Sequence, residues 1–303
     1  MGNPYVKPYV VDPSGGFDVP YTPFEEYQEQ FKDIFDIKRE NGIIEIRMHS
    51  NHKEASWHHG MHKGWAQILY LVGQDPENEV AIIGGTGDYF IKETNKDFIE
   101  WNKKQLAAGK GSELQRQQTE FYYKTEWGDG RALMHAVVDN LPIPSIGVYN
   151  GPSVGLSCIA TMCDLTLCAE EANFYEAHFK TNMVPGDGHL LSFQLLAGPK
   201  RAAYLAYTGD EIDAQTAKEW GLVNEVLPRE DLYPRAWELA RKIRKQSRYT
   251  TRWTHDLVAR PYREAVLKDI DNHFALEIAS QQTVRGLSNF DYADAMDKNM
   301  KYE

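Results

Sequence analysis

Short apolar runs ending in polar or glycine turns recur along the first part of the chain. Ile43 to Met48, Val80 to Ile83 before Gly84-Gly85, and Ile146 to Tyr149 before Asn150-Gly151 have the β-rich, bounded composition of strands. A fourth run, Leu165 to Ala169, extends the series. Between them, His62 to Val72 carries apolar residues at helical spacing, and so does Glu113 to Asn140, which Gly128 and Gly130 are expected to break. Strand alternating with helix predicts an α/β domain. From Gly198 the pattern turns helical, with helices predicted over Ala202 to Thr208, Asp213 to Trp220, Tyr233 to Gln246 and Arg263 to Thr283. No internal repeat of solenoid period interrupts this plan.

Composition narrows the function classes. The 303 residues hold 33 Lys plus Arg against 44 Asp plus Glu, a net charge of −11, and such a chain repels phosphate backbones and anionic lipid alike. At 42% hydrophobic and 25% charged residues, it can build a core. The Pro-, Gly- and Tyr-rich start has no basic stretch leading into an apolar one, as a secretory signal would, and Gly2 lacks the context for myristoylation. No run approaches the roughly 20 apolar residues that span a bilayer. Cys158, Cys163 and Cys168 form neither a disulfide framework nor a CxxC pattern, so a cytoplasmic setting is expected.

Two local patterns suggest chemistry. Gly151-Pro152-Ser153-Val154-Gly155 matches G-x-S-x-G between a strand and an apolar segment, the context of a nucleophile elbow. Pro152 opposes that reading, because it fixes φ where the elbow needs a strained turn, and a plain Gly-rich turn explains the match. His49, His52, His58, His59 and His62 crowd around Trp57, with His58 and His62 at the i, i+4 spacing of a shared metal. No Glu follows His58 in the HExxH manner, a solvated polar stretch accounts for the cluster, and no metal is assigned.

A set of features in one order then points to a family. They are Val148 to Pro152, Met162 to Ala169, Ala172-Asn173-Phe174, Val184 to Gly188, Tyr207 to Ile212 and Trp220 to Val226, with Gly85 to Phe90 upstream. Together they resemble the crotonase (enoyl-CoA hydratase/isomerase) superfamily over roughly residues 38 to 285. The resemblance implies an α/β fold, a spiral of ββα turns with a helical C-terminal region used for trimerisation. It divides the chain into an N-terminal arm (1–25), a crotonase-like spiral core (26–197) and a helical C-terminal region (198–303). It also implies two backbone N–H groups that stabilise an enolate, near Thr94 and near Gly155 or Leu156.

The departures from the family refine this picture. Where its hydratases carry two glutamates, this chain places Cys158 and His178, and Lys92-Glu93 replaces the small-residue loop of CoA-binding members. His178, followed nine residues later by Asp187, resembles the β-diketone hydrolase branch typified by 6-oxocamphor hydrolase. That branch also implies a tryptophan at Trp57 and a glutamate at Glu277, while its further carbonyl-holding histidine is replaced by Leu156. The implied reaction is retro-Claisen hydrolysis of a 1,3-diketone, with His178 as base oriented by Asp187, without metal or organic cofactor, in a homotrimer or hexamer. Asp187 as a helix cap and His178 as a core histidine are the bland readings. A CoA-thioester enzyme and a non-catalytic binding protein are the alternative functions.

Overall fold

The structure, a computed structural model, describes residues 21–106 and 112–283. Most of the proposed N-terminal arm therefore lies outside the described residues. At the centre is a six-stranded sheet whose spatial order follows the chain: Phe35–Glu40, Ile43–Met48, Val80–Gly85, Ser145–Tyr149, Leu165–Ala169 and Glu225–Leu227. The first two strands form an antiparallel hairpin, and every later neighbour is parallel. The hairpin turns at Asn41-Gly42, with φ of 50° and 77°. Positive φ at both central residues matches the twist of the flanking strands, which is why Asn-Gly serves there.

Parallel strands need long crossovers, and the helices packed on both faces supply them. Leu232, Ala236, Trp237 and Ala240 of helix Arg229–Ile243 cover Ile43, Val80, Ile82 and Val148 on one face. Met61, Trp65, Ile68 and Val72 of helix His59–Gln74 join the cluster on the other face, with Ile44, Ile46, Ala81 and Ile83. Burial on both sides explains why these strands read as unbroken apolar runs rather than alternating ones.

The structure revises the helices in two places. Glu113 to Asn140 is not broken at its glycines. It runs as α-helix Glu113–Tyr122, π-helix Tyr123–Gly130, α-helix Arg131–His135 and π-helix Ala136–Asn140. The chain absorbs the irregularity by widening its turns, a device common at functional sites. The last helix spans Arg248–Thr283, 36 residues with Pro261 inside, and so starts well before Arg263. Its inward row is Val266, Ile270, Phe274, Glu277 and Gln281. The C-terminal region is also not purely helical, since Glu225–Leu227 pairs in parallel with Leu165–Ala169.

Loops leaving the carboxyl ends of the strands are stitched side by side. Ser56–Trp57 pairs in parallel with Glu93–Thr94, setting Trp57 opposite Thr94. Ile91 bridges Ser153, and the Val154 N–H donates to the Ile91 carbonyl at 3.0 Å. Carboxyl ends of parallel strands are where open α/β sheets bind ligands. Among the described residues, no helix is long and apolar enough to cross a membrane.

Candidate active site

The stitched loops form one wall of a pocket, and the turn before helix His189–Leu196 and the end of the long helix form another. Its lining includes Trp57, Thr94, Gly155, Leu156, His178, Asp187 and Glu277, all seven residues singled out in the sequence. The turn Pro185-Gly186-Asp187-Gly188 has a steric reason for its glycine. A Cβ on Gly186 would lie 2.2 Å from the His273 carbonyl oxygen and 2.6 Å from Glu277 Cβ, so only glycine lets the Asp187 turn pack against the helix that carries Glu277.

His178 opens a 3₁₀ turn whose closure fixes its backbone: the Thr181 N–H, the Thr181 hydroxyl and the Met183 N–H all donate to its carbonyl. Its ring differs from the expected dyad. Nδ1 lies 2.6 Å from Glu176 Oε1, which also accepts the His178 N–H at 2.9 Å. Asp187 Oδ2 lies 3.6 Å from Nε2, and Glu277 Oε1 lies 4.0 Å from it. The carboxylate that orients the imidazole is therefore Glu176. Asp187 and Glu277 face the nitrogen that opens to the pocket.

Three carboxyl groups around one imidazole decide the charges. Burial alone would lower the His178 pKa, but Asp187, Glu176 and Glu277 hold it well above the ordinary histidine value. Glu176, also buried, is kept below the usual carboxyl range by His178 and His189. Glu277 goes the other way: burial, reinforced by Glu126, Asp187 and Glu176, raises it well above that range despite His178. These shifts favour the charged forms of His178 and Glu176 and the protonated form of Glu277, whose Oε1 accepts from Gln281 Nε2 at 3.1 Å.

Asp187 has two functions at once. Oδ1 accepts the His189 N–H at 3.1 Å at the start of the helix, as a capping residue would, while Oδ2 faces His178. Leu156 sits in the left-handed region at φ 56°, a strain of about 1–2 kcal/mol for a residue with a Cβ, and its N–H has no acceptor among the described residues. The thiol of Cys158 is fully buried and its pKa is raised well above the ordinary value, by burial and by Asp187 and Glu176, so it is not a nucleophile. Ser153 does not form a nucleophile elbow. It bridges Ile91, and its hydroxyl donates to the Gly155 carbonyl at 2.6 Å.

The histidine cluster regroups. Instead of His58 with His62, the pocket wall carries His59, His62 and Glu126, whose ligand-capable atoms lie within 4.8 Å of one another. Glu126 comes from the first π-helix and pairs with His59 Nε2. His59 and then His62 hold its carboxyl at about 2 against the effect of burial, while burial pushes His62 down to about 4. Metal-bound histidines ordinarily donate their second N–H to an acceptor. Nδ1 of His59 and Nδ1 of His62 are buried with no partner among the described residues, so the set fits a metal poorly. Buried His49, half-buried Asp36 and exposed His52 form a second group. His49 Nδ1 there accepts the His52 N–H, which puts the neutral ring's proton on Nε2, the atom facing Asp36.

Comparison with known proteins places the fold. The model of the enoyl-CoA hydratase/isomerase family matches residues 38–290, and the chain belongs to that family. A crotonyl-CoA hydratase of Syntrophomonas wolfei is 27% identical over 228 residues, covering 72% of this chain and 80% of that protein. A carnitinyl-CoA dehydratase of Citrobacter koseri is 29% identical over 178 residues, covering 58% of this chain and 62% of its own length. A solved β-diketone hydrolase from the cyanobacterium Anabaena, bound to (S)-3-oxocyclohexyl acetic acid, superposes with a TM-score of 0.77 at 27% identity, covering 86% of this chain and 98% of that one. An enoyl-CoA hydratase/isomerase from Mycobacterium paratuberculosis gives 0.72 at 25% identity, covering 88% and 98%. The α/β architecture is that of the crotonase superfamily, close to its β-diketone hydrolase branch.

Proposed function

We propose that the protein hydrolyses a carbon–carbon bond of a 1,3-diketone by a retro-Claisen reaction. The observation that carries this reading is the His178 imidazole among Glu176, Asp187 and Glu277, in place of the paired glutamates that the family's hydratases carry. Water held between Asp187 and His178 adds to one carbonyl carbon and gives its proton to that pair. Because the surrounding carboxyls favour the protonated form of His178, Asp187 is the acceptor and the imidazolium stabilises the alkoxide. The bond to the central carbon then breaks. Its electron pair passes into the second carbonyl as an enolate, which the Leu156 N–H and the Trp57 indole receive. Glu277, whose raised pKa favours its protonated form, gives a proton to the central carbon, leaving a ketone and a carboxylic acid. The proton taken by Asp187 passes by way of His178 Nε2 to Glu277 to restore the site. The diketone is its own electron sink, so the route needs no added cofactor.

The CoA-thioester reading is kept alive by the names of the relatives, a crotonyl-CoA hydratase and a carnitinyl-CoA dehydratase. One panel separates the two: cyclic and acyclic 1,3-diketones followed by loss of enolate absorbance, beside crotonyl-CoA followed by hydration. Diketone turnover abolished in His178→Ala supports the proposal. Turnover of crotonyl-CoA alone overturns it.

A further inference from the structure

Glu176 faces two histidines. Oε1 binds His178, and Oε2 lies 3.7 Å from Nδ1 of His189. Oε2 and that Nδ1 are both buried and neither has a hydrogen-bond partner among the described residues, so they face each other just beyond hydrogen-bond distance. On the far side of the His189 ring, Nε2 accepts the Ser157 N–H at 2.9 Å and meets Ser157 Oγ at 2.6 Å. A nitrogen that accepts a backbone N–H carries no proton itself, so the His189 proton sits on Nδ1, toward Glu176. The His189 backbone N–H is held by Asp187.

Ser157, His189 and Glu176 have the order of a serine nucleophile, its base and an orienting carboxylate. They are not an active site. Ser157 and His189 are 1% and 2% exposed, and neither lines the pocket. Between them and the cavity lies Leu156, the left-handed residue whose N–H is offered to substrate.

We propose that His189 is a positioning residue: by gripping Ser157 it holds the Leu156 turn as an enolate donor, and through Glu176 it fixes that turn relative to His178. The carboxylate that orients the imidazole and the backbone that receives the enolate thus belong to one buried unit. The catalytic part of this inference rests on the 1,3-diketone reading, whereas the tautomer and the grip on Ser157 do not.

The test has two arms. In ¹⁵N-imidazole NMR of the wild-type protein, His189 Nε2 should resonate as an unprotonated acceptor, and the Ser157 amide should exchange slowly. Protonated Nε2 would overturn the proposal whatever the enzyme does. In the second arm, His189→Leu removes the acceptor and His189→Gln puts an amide oxygen near its place. With a diketone that the wild type cleaves, His189→Leu should lower kcat about 10²-fold with KM within about threefold, the scale of one lost enolate donor. His189→Gln should recover most of that loss and restore slow exchange at Ser157. Equal kcat in the folded leucine and wild-type proteins overturns the positioning role, as does an equal loss in both variants. If no diketone is cleaved, the functional reading fails alone, and the NMR arm still decides the geometry.

Discussion

Asp187 divides its two oxygens between a helix start and His178, so one substitution can separate the two functions. Asp187→Asn keeps an oxygen for the His189 N–H, and the melting temperature should change little. Losing the acceptor for water's proton should lower kcat by about 10²–10⁴-fold with KM nearly constant. Adding His178→Ala should cost little more, because groups acting as a unit are non-additive. Full activity in Asp187→Asn would reduce the residue to a cap. His62 gives a prediction about stability. Its folded pKa of about 4 lies below the ordinary value of 6.5, so between these pH values the unfolded chain binds more protons. Stability should be fully present above about pH 6.5 and decline as the pH falls toward 4, by about 2 kcal/mol between pH 7 and pH 5 from this group. Thermal melts of His62→Gln across that range should show a shallower decline, and an unchanged slope would mean that His62 is not the buried neutral group described.

At the scale of elements, the loop Phe90 to Asn95 carries an expectation about CoA. Its Lys92 lies 3.9 Å from Glu54 and over the Tyr89 ring, and Glu93 accepts from Ser56 Oγ, so charged side chains are tied down in the loop where the resemblance implies small residues in CoA-binding members. CoA and acyl-CoA should therefore give no upward shift in melting temperature, whereas a cleaved diketone's product should, since any ligand of the folded state stabilises it by mass action. A clear acyl-CoA shift would favour the thioester reading. The same scale shows what the sequence could reveal. Buried parallel strands were legible because their apolar runs are bounded by glycine and polar turns. Phe35–Glu40 was not, as its charged positions mask an edge strand, although Asn41-Gly42 was a hairpin signal beside it. The resemblance picked out seven residues that share one pocket, but not Glu176 or Glu126. Glu176 orients His178 from two residues away through a turn, and Glu126 reaches His59 from a π-helical turn. Neither local spacing carries a signature.

For the whole molecule, the long C-terminal helix has two unlike faces. Inward, it delivers Phe274, Glu277 and Gln281 to the core and the pocket. Outward, Tyr249, Trp253 and Leu257, at helical spacing, are 58%, 66% and 74% exposed, with Val258, Leu267 and Leu276 further along. Single exposed apolar side chains are ordinary, but a row of them along one helix is the kind of surface that suits contact with another chain. A chain of net charge −11 also needs apolar contact to overcome its own repulsion on association. We expect a closed assembly built on threes, in which this helix lies against a second copy. Light scattering should give three or six times 34.7 kDa, and Trp253→Glu with Leu257→Glu should shift the mass toward that of one chain. Because Glu277 rides on the same helix, the dissociated double variant should also lose activity in proportion to its monomer fraction. A wild-type monomer throughout the micromolar range would refute the assembly, and a fully active monomeric variant would show that the helix holds Glu277 in place without a partner.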